Sequence, residues 1–150
     1  LIDLIFRIQG QPEKVHPFNR CSGLDSVTAE DQGMAVLEYK NGISFAVTNA
    51  NQFGGFARRE LVVTGSKKTV SLCPLEMHHP DGGQFTTWAE YSDKAWSDRG
   101  TSRDCPPHDR YDAMMAGFAA MVRGEKENPY TLDYELTLYK TVLAACGANI

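Results

Sequence analysis

The chain has 150 residues, of which 42% are hydrophobic, 23% charged and 10% aromatic. That length is typical of one domain, and the composition is that of a globular protein rather than a disordered, collagen-like or coiled-coil chain. Fifteen Lys and Arg against nineteen Asp and Glu give a formal charge of -4, which argues against binding to nucleic acid or an anionic membrane. No apolar run approaches the roughly 20 residues of a transmembrane helix. We therefore expect one soluble domain over residues 1–150, with neither nucleic acid nor a membrane as a partner.

The four cysteines lie far apart in the sequence, at positions 21, 73, 105 and 146. They form no CxxC pair and no dense disulfide framework, which favours reduced thiols and a cytoplasmic location. The chain begins at Leu1 rather than Met, so its first residues carry no information about a leader segment.

The first residues have the apolar spacing of a helix. Apolar side chains recur at intervals of three and four from Leu1 to Ile8. Gly10 followed by Pro12 predicts the end of this helix. No capping residue precedes Leu1, so we expect the helix to continue a longer chain upstream.

The middle of the chain is predicted to be an antiparallel sheet. MAVLEY (34–39) and ISFAVTN (43–49) flank Lys40-Asn41-Gly42, and Asn-Gly adopts the positive φ angles of a two-residue hairpin turn. RELVVTG (59–65) and TVSLCPL (69–75) predict a second hairpin, and QFTTWAEY (84–91) predicts a further strand. Their imperfect alternation indicates a sheet with one covered and one open face.

The last third is predicted to hold an irregular segment and two helices. Ser92–Asp109 is rich in turn-forming residues, so we expect a surface loop, either site-lining or merely mobile. Asp109 is expected to cap a helix that ends at Gly124, and Leu132–Leu143 predicts a second helix with a stop at Gly147. The first of these helices carries an apolar stripe that we expect in the core, formed by Tyr111, Met114, Met115, Phe118 and Val122.

The sequence contains no self-contained active site. It has no GxSxG elbow, no phosphate loop, no HExxH pair and no GxGxxG after a strand. His78 and His79 are adjacent on a predicted strand and point to opposite faces, so we expect no metal site there. Arg58 and Arg59 stand at the entry to a strand after the glycine-bearing turn 51–56, which includes Gln52 and where a polar ligand can approach; a flexible turn with two solvated cations is the alternative. His108 is either an imidazole at the mouth of a site or a solvated neighbour of a helix cap.

Three strings, in this order, carry a resemblance to one enzyme family. LIDLIFRIQGQPEKV (1–15) is similar to a helix and strand that commonly read His, two apolar residues, Asp, an apolar stretch, Gly-x-Pro and Val. RRELVVTGSKKTVSL (58–72) is similar to a central hairpin, and residues 111–147 to a closing pair of helices. Together they resemble the C-terminal domain of the Gfo/Idh/MocA oxidoreductases, the family of glucose-fructose oxidoreductase and inositol 2-dehydrogenase. The match spans most of the chain.

The resemblance implies both a fold and a division of labour. The fold is α+β, an open and mostly antiparallel sheet with helices packed on one face, related to the dihydrodipicolinate reductase-like domains. The whole enzyme would bind NAD or NADP in an N-terminal Rossmann domain and act on a sugar, a polyol or a related hydroxy compound. The family's Lys of a Glu-Lys-Pro motif and its Asp-x-x-x-His pair map outside residues 1–150, the His falling just before Leu1. We therefore expect no catalytic, cofactor-binding or metal-binding residue in this chain, and no activity from it alone.

The candidate substrate-binding residues are Asp3, Gln52, Arg59 and His108. Asp3 matches the family's Asp after the His, and either touches substrate or orders its neighbours. The resemblance also implies a homo-oligomer assembled through the open sheet face. Two alternatives stand beside this interpretation: a non-catalytic module that binds a protein through the sheet face, and a relative with non-redox chemistry.

Overall fold

A computed structural model describes residues 1–148 of the chain. The described residues contain three α-helices and nine strands, and every strand pairing is antiparallel. In chain order the elements are α1 (Ile2–Gln9), β1 (Lys14–Arg20), β2 (Gln32–Tyr39), β3 (Gly42–Asn49), β4 (Leu61–Thr64), β5 (Thr69–Leu72), β6 (Met77–His78), β7 (Gln84–Phe85), β8 (Thr87–Tyr91), β9 (Thr101–Asp104), α2 (Asp112–Val122) and α3 (Leu132–Ala145). The predicted α+β class is confirmed.

The chain divides into two compact units. Unit 1 comprises Leu1–Gln52 and the chain from Asn128 onward, and unit 2 comprises Phe53–Glu127. The strands of the two units form separate sheets. The sheet β1-β2-β3 lies in unit 1, whereas the sheet β4-β5-β8-β9 and the two-stranded sheet β6-β7 lie in unit 2. No helix among the described residues combines the length and the hydropathy needed to cross a bilayer.

Unit 1 holds the buried core of the molecule. Helices α1 and α3 pack against each other, and α3 also packs on β1 and β2. Leu37 in the central strand is fully buried, with Ile5 of α1 and Ala35 beside it. The predicted end of α1 is confirmed, since Gly10 follows its last residue with a φ of 77° that disfavours side chains with a Cβ.

The hairpin β2–β3 is confirmed, but its turn differs from the prediction. Tyr39 pairs with Gly42, so the two connecting residues are Lys40 and Asn41 and the glycine belongs to the strand. The non-glycine residues with positive φ in the described chain are Asp25 and Ser26, so the positive angles expected of Asn-Gly are not used. The register instead places Leu37 on the face that the helices cover.

Unit 2 contains the second predicted hairpin, β4–β5, with Thr64 opposite Thr69. The predicted strand 84–91 is interrupted at Thr86: Gln84–Phe85 pairs with β6, while Thr87–Tyr91 crosses to β5. The hydroxyl of Thr86 donates to the carbonyl of Leu75 at 2.8 Å. Because of this interruption, residues 84–91 contribute strands to two different sheets.

Two predictions for residues 92–124 are wrong. The segment Ser92–Asp109 is not wholly irregular, because Thr101–Asp104 forms the edge strand β9 beside β8. The four residues of β9 are polar and exposed, so the sequence shows no sign of a strand there. Asp109 does not cap α2, which begins after Tyr111 without any side-chain cap.

The apolar stripe of α2 is not in the core, which corrects a further prediction. Its members are 54–72% exposed, and they are Tyr111, Met114, Met115, Phe118 and Val122. The partly covered residues of this helix lie on another face, at Gly117, Ala119, Ala120 and Met121. Helical spacing identifies an apolar face, but it does not determine what covers that face.

Helix α3 begins at Leu132, as the sequence predicts. The hydroxyl of Thr131 accepts a hydrogen bond from the amide of Tyr134 at 3.2 Å, capping the first turn. Leu132 and Leu136 are exposed, whereas Thr141 is buried on the packed face. The stop at Gly147 is confirmed by its φ of 81°.

Candidate functional site

Asp3 joins the two helices of unit 1. Its Oδ1 accepts a hydrogen bond from the hydroxyl of Tyr134 at 2.7 Å, and its Oδ2 lies 3.5 Å from Nε of Arg7. Arg7 in turn donates to the hydroxyl of Tyr130 and lies over that ring. The hydrogen bond to Asp3 raises the pKa of Tyr134, since ionising the phenol would remove the donated proton. These contacts are those of a residue that orders its neighbours, and a substrate contact stays a prediction.

A cavity of about 450 Å3 lies beside Asp3 in unit 1. Its size is within the range of small-molecule sites, and its lining is mostly apolar with a few polar groups, as such sites are. Asn19 is held in the wall by donating to the carbonyl of Ala145 at 3.2 Å. The polar side chains of the lining are those of Asp3, Asn19, Thr48 and Cys146.

Gln52 is exposed and follows a hydrogen-bonded corner of unit 1. Asn51, the preceding residue, donates to Oδ2 of Asp31 at 2.5 Å, and Ser22 donates to the same carboxylate through its hydroxyl and its amide. The hydroxyl bond from Ser22 is the main reason that the pKa of Asp31 lies below its usual value. No side-chain hydrogen bond of Gln52 is present within residues 1–148, so its substrate role stays a prediction.

Arg59 belongs to a three-residue cluster in unit 2. Its Nη1 lies 3.7 Å from Oε2 of Glu76, and Nε of Arg110 lies 3.0 Å from Oε1 of the same carboxylate. The guanidinium of Arg59 lies over the Phe56 ring at 4.5 Å, and that of Arg110 over the Tyr111 ring at 5.5 Å. We refer to Arg59, Glu76 and Arg110 as the arginine cluster.

Backbone hydrogen bonds hold together the segments that carry the arginine cluster. The amide of Leu75 donates to the carbonyl of Arg59 at 2.7 Å, which fixes the residue before Glu76 against Arg59. His108 and Gln84 exchange amide-to-carbonyl bonds of 2.9 and 2.8 Å, two residues before Arg110. The side chains of the cluster are therefore carried on a framework of main-chain contacts rather than on free loops.

His108 contributes to this framework through its main chain. Gly83, with a φ of +73°, lies so close that a Cβ there would be 3.0 Å from the carbonyl oxygen of His108. A glycine is needed at that position for both reasons. The His108 side chain is exposed. Oε1 of the neighbouring Gln84 is buried and has no hydrogen-bond partner within the described chain.

The sequence interpretation found one member of the arginine cluster and missed two. Glu76 and Arg110 stand in segments without any motif, and no spacing rule relates them to Arg59. The only local signal was the position of Arg110 directly after His108-Asp109. There the sequence predicts either the mouth of a site or a solvated start of a helix. Within residues 1–148, His, Cys, Asp and Glu side chains form no group of three that could hold a metal ion.

Comparison with solved structures identifies the fold. A candidate oxidoreductase from Klebsiella pneumoniae superposes with a TM-score of 0.70 at 19% identity, over 97% of this chain and 44% of that one. A candidate NADPH-dependent oxidoreductase from Desulfitobacterium hafniense gives a TM-score of 0.73 at 17% identity, over 97% and 42%. A candidate oxidoreductase from Yersinia pestis gives 0.67 at 14% identity, over 97% and 44%.

These similarities define the class of protein by its fold. The chain has the fold of a part of each of these oxidoreductase chains and spans less than half of their length. The resemblance predicted from the three sequence strings is thus confirmed at the level of the fold. No protein-family model matches the chain, and the comparison with curated proteins gives no match.

The described residues do not fit a nicotinamide dinucleotide. Such cofactors place their pyrophosphate on a glycine-rich turn between a parallel strand and the start of a helix. All strand pairings of residues 1–148 are antiparallel, and α2 starts after Arg110-Tyr111 rather than after a glycine-rich turn.

Proposed function

We propose that this chain is the C-terminal substrate-binding part of an NAD(P)-dependent oxidoreductase that acts on a sugar, a polyol or a related hydroxy compound. The observation that carries the proposal is the fold: 97% of the chain superposes on 42–44% of three candidate oxidoreductase chains. One of those proteins is described as NADPH-dependent, which supports a nicotinamide cofactor for the enzyme to which this chain would belong.

In this proposal the chain binds the substrate, and the rest of the enzyme supplies the cofactor site and the proton-transfer residues. Asp3 beside the cavity of unit 1, and Arg59 and His108 in unit 2, are the proposed substrate contacts, together with Gln52. Residues 1–150 alone should therefore neither bind the dinucleotide tightly nor oxidise a substrate.

Cofactor titration tests this division. NADPH and NADH are added to residues 1–150 and, separately, to the full product that the gene encodes, and the fluorescence of the reduced nicotinamide is followed. We expect saturable binding by the full product and none by residues 1–150. Turnover is then assayed over sugars and polyols with both oxidised cofactors. Tight binding by residues 1–150, or a full product that binds neither cofactor, would refute the proposal.

We further propose that the open face of the unit 1 sheet receives a second copy of this chain. The face opposite Leu37 carries exposed apolar side chains at Phe18, Met34, Ile43, Phe45 and Val47. Charges of both signs lie beside them, since Lys14 pairs with Glu38 across β1 and β2. A patch with apolar and oppositely charged groups is complementary to itself, as a two-fold interface requires.

Light scattering over a range of concentrations tests the assembly. We expect a mass above that of the monomer for the full product, and a shift to the monomer in Phe45→Asp, because a carboxylate buried without a partner opposes association. Phe53→Asp is the matched control, since Phe53 is 98% exposed and lies outside this face. A strict monomer, or equal effects of the two substitutions, would refute the sheet-face assembly.

A further inference from the structure

We propose that the arginine cluster of unit 2 is an anion-recognition site that binds a carboxylate or a phosphate monoester of the substrate. The inference rests on the proposed function and makes it narrower, because it names acidic sugars or sugar phosphates as the substrate class. It assigns Arg59 and Arg110 as binding residues and Glu76 as the residue that positions them.

Three side chains from different segments of unit 2 converge in the arginine cluster. The three side chains come from separate parts of unit 2: Arg59 precedes β4, Glu76 lies between β5 and β6, and Arg110 lies between β9 and α2. One carboxylate receives both guanidiniums, at 3.7 Å from Arg59 and 3.0 Å from Arg110. Two cations are thereby held near each other, which their mutual repulsion would otherwise prevent.

The charge and the exposure of the arginine cluster also favour the binding of an anion. Two guanidiniums against one carboxylate leave the cluster with a net positive charge. The side chain of Glu76 is 21% exposed, whereas those of Arg59 and Arg110 are 45% and 50% exposed. The anion is therefore the inner group of the cluster, and the cations form its outer surface. Among residues 1–148, neither arginine has an ion pair with another carboxylate.

Arg59 and Arg110 also provide hydrogen-bond donors for an anion. A guanidinium has five N–H groups arranged as a planar fork that matches the oxygens of a carboxylate or phosphate. Arg59 directs Nη1 and Arg110 directs Nε toward Glu76, so both retain further donors. The guanidinium carbons of Arg59 and Arg110 also lie over the rings of Phe56 and Tyr111, at 4.5 and 5.5 Å from the ring centres. Arginines held on rings in this way lose less rotational freedom when a ligand binds.

Main-chain hydrogen bonds hold the segments beneath the arginine cluster. The Leu75–Arg59 hydrogen bond of 2.7 Å and the reciprocal bonds between Gln84 and His108 tie together the segments that carry the cluster. A site carried by fixed main-chain segments needs little rearrangement on binding. The His108 side chain is exposed, two residues before Arg110 in the sequence.

Titration with inorganic phosphate tests the site directly. Phosphate is added to the 150-residue chain at low ionic strength, and the Nε–H resonances of the arginines are followed by NMR. We expect saturable shifts for Arg59 and Arg110. Arg59→Gln and Arg110→Gln should each weaken phosphate binding about tenfold, since each removes hydrogen bonds to a charged ligand. Sodium acetate, titrated in the same way, reports on a carboxylate as the source of the anion.

Arg58→Gln is the matched control for general charge attraction. It removes the same charge one residue away, outside the cluster, and it should change phosphate affinity less than about twofold because it removes no hydrogen bond to the bound anion. Circular dichroism checks the fold of each variant. If a Gln variant unfolds, Arg110→Lys replaces it; Lys retains the charge and loses the fork, so binding should still weaken. Non-saturable shifts, or equal losses in Arg58→Gln and the cluster variants, overturn the proposal.

Activity of the full gene product distinguishes this inference from the proposed function. Turnover is compared for a sugar phosphate, a sugar carboxylate and the corresponding neutral sugar. We expect a preference for one of the two acidic sugars that Arg110→Gln abolishes through a higher KM. Turnover with the neutral sugar preferred in every variant overturns the anion site and leaves the proposed function intact. Phosphate binding without any turnover refutes the proposed function and leaves the anion site standing.

Discussion

The carboxylate of Asp31 is hydrogen-bonded to two other segments of unit 1. Its carboxylate accepts the hydroxyl and the amide of Ser22 and the side-chain amide of Asn51. These donors favour the charged form, and the pKa of Asp31 is lowered, chiefly by the Ser22 hydroxyl. A lowered pKa in the folded state contributes stability above the ordinary aspartate pKa of about 3.9, and the contribution is lost as pH falls through the folded-state pKa.

We therefore expect Asp31→Asn to unfold at a lower urea concentration than the parent chain at pH 7. The difference should narrow as the pH falls below about 4, because the parent loses the same charge by protonation. Asp25→Asn is the control, since Asp25 has a φ of 50° and Asn tolerates that backbone equally well. Urea denaturation at several pH values measures both variants. A pH-independent difference would show that the carboxylate charge is not the cause.

At this scale the sequence predicts locations better than partners. Arg59 and His108 were identified because a glycine-bearing turn and a helix start stand beside them. Glu76 and Arg110 were not, since the contact that unites them with Arg59 depends on how three segments fold back in unit 2. Ion pairs between residues far apart in the chain follow from tertiary geometry and leave no periodic signal.

At the scale of elements, strand β2 depends on a glycine for the contact between neighbouring strands. A Cβ at Gly33 would lie 2.8 Å from Oδ1 of Asn19 in β1 and 3.0 Å from Oγ1 of Thr48 in β3. Asn19 is not free to move, because it donates to the carbonyl of Ala145 at the end of α3. The glycine therefore allows a polar contact that joins the sheet to the helix.

Gly33→Ala should lower the free energy of unfolding by about 1–3 kcal/mol, as overpacking does elsewhere. Urea denaturation measures it, and the double variant with Asn19→Ala should lose less than the sum of the two single changes. Gly117→Ala in α2 is the control. A Cβ there meets nothing within 4 Å, so a helix interior should gain up to about 1 kcal/mol. Equal effects at the two glycines would contradict the steric argument.

Helix α3 depends on its N-cap. Thr131→Ala removes the side-chain acceptor for the amide of Tyr134, and the free energy of unfolding should fall by about 1 kcal/mol. Thr131→Ser retains the hydroxyl and should stay close to the parent. Thermal and urea denaturation of the two variants give the comparison. If Ser were as destabilising as Ala, the lost methyl group rather than the cap would be responsible.

Elements with strong local signals were predicted correctly, and those defined by packing were not. Helix α1, the β2–β3 and β4–β5 hairpins and the start of α3 follow from apolar spacing and turns. Strand β9 was missed because TSRD has no apolar alternation and forms a strand only through its pairing with β8. The stripe of α2 has ideal helical spacing and is nevertheless exposed, because spacing reports amphipathicity and not the partner.

At the scale of the whole molecule, burial is concentrated in unit 1. Within residues 1–148 the buried residues are Ile5, Phe6, Pro12, Ala35, Leu37 and Thr141, and all belong to that unit. Unit 2 has hydrogen-bonded strands but no residue of this kind. Regions with few buried apolar contacts open at lower free energy than the rest of a protein. The amides of unit 2 should therefore exchange faster than those of β1–β3.

Leu37→Ala tests whether the single domain expected from the sequence is one cooperative unit. Leu37 is fully buried, so its truncation should destabilise unit 1 by about 2–5 kcal/mol. Because unit 2 buries none of the core, we expect hydrogen exchange to accelerate in β1–β3, α1 and α3 and to stay unchanged in β4–β9. Val62→Ala, at a half-exposed site in unit 2, is the control and should leave unit 1 unchanged. Equal acceleration of both units in Leu37→Ala would instead show that they unfold together, as a single domain does.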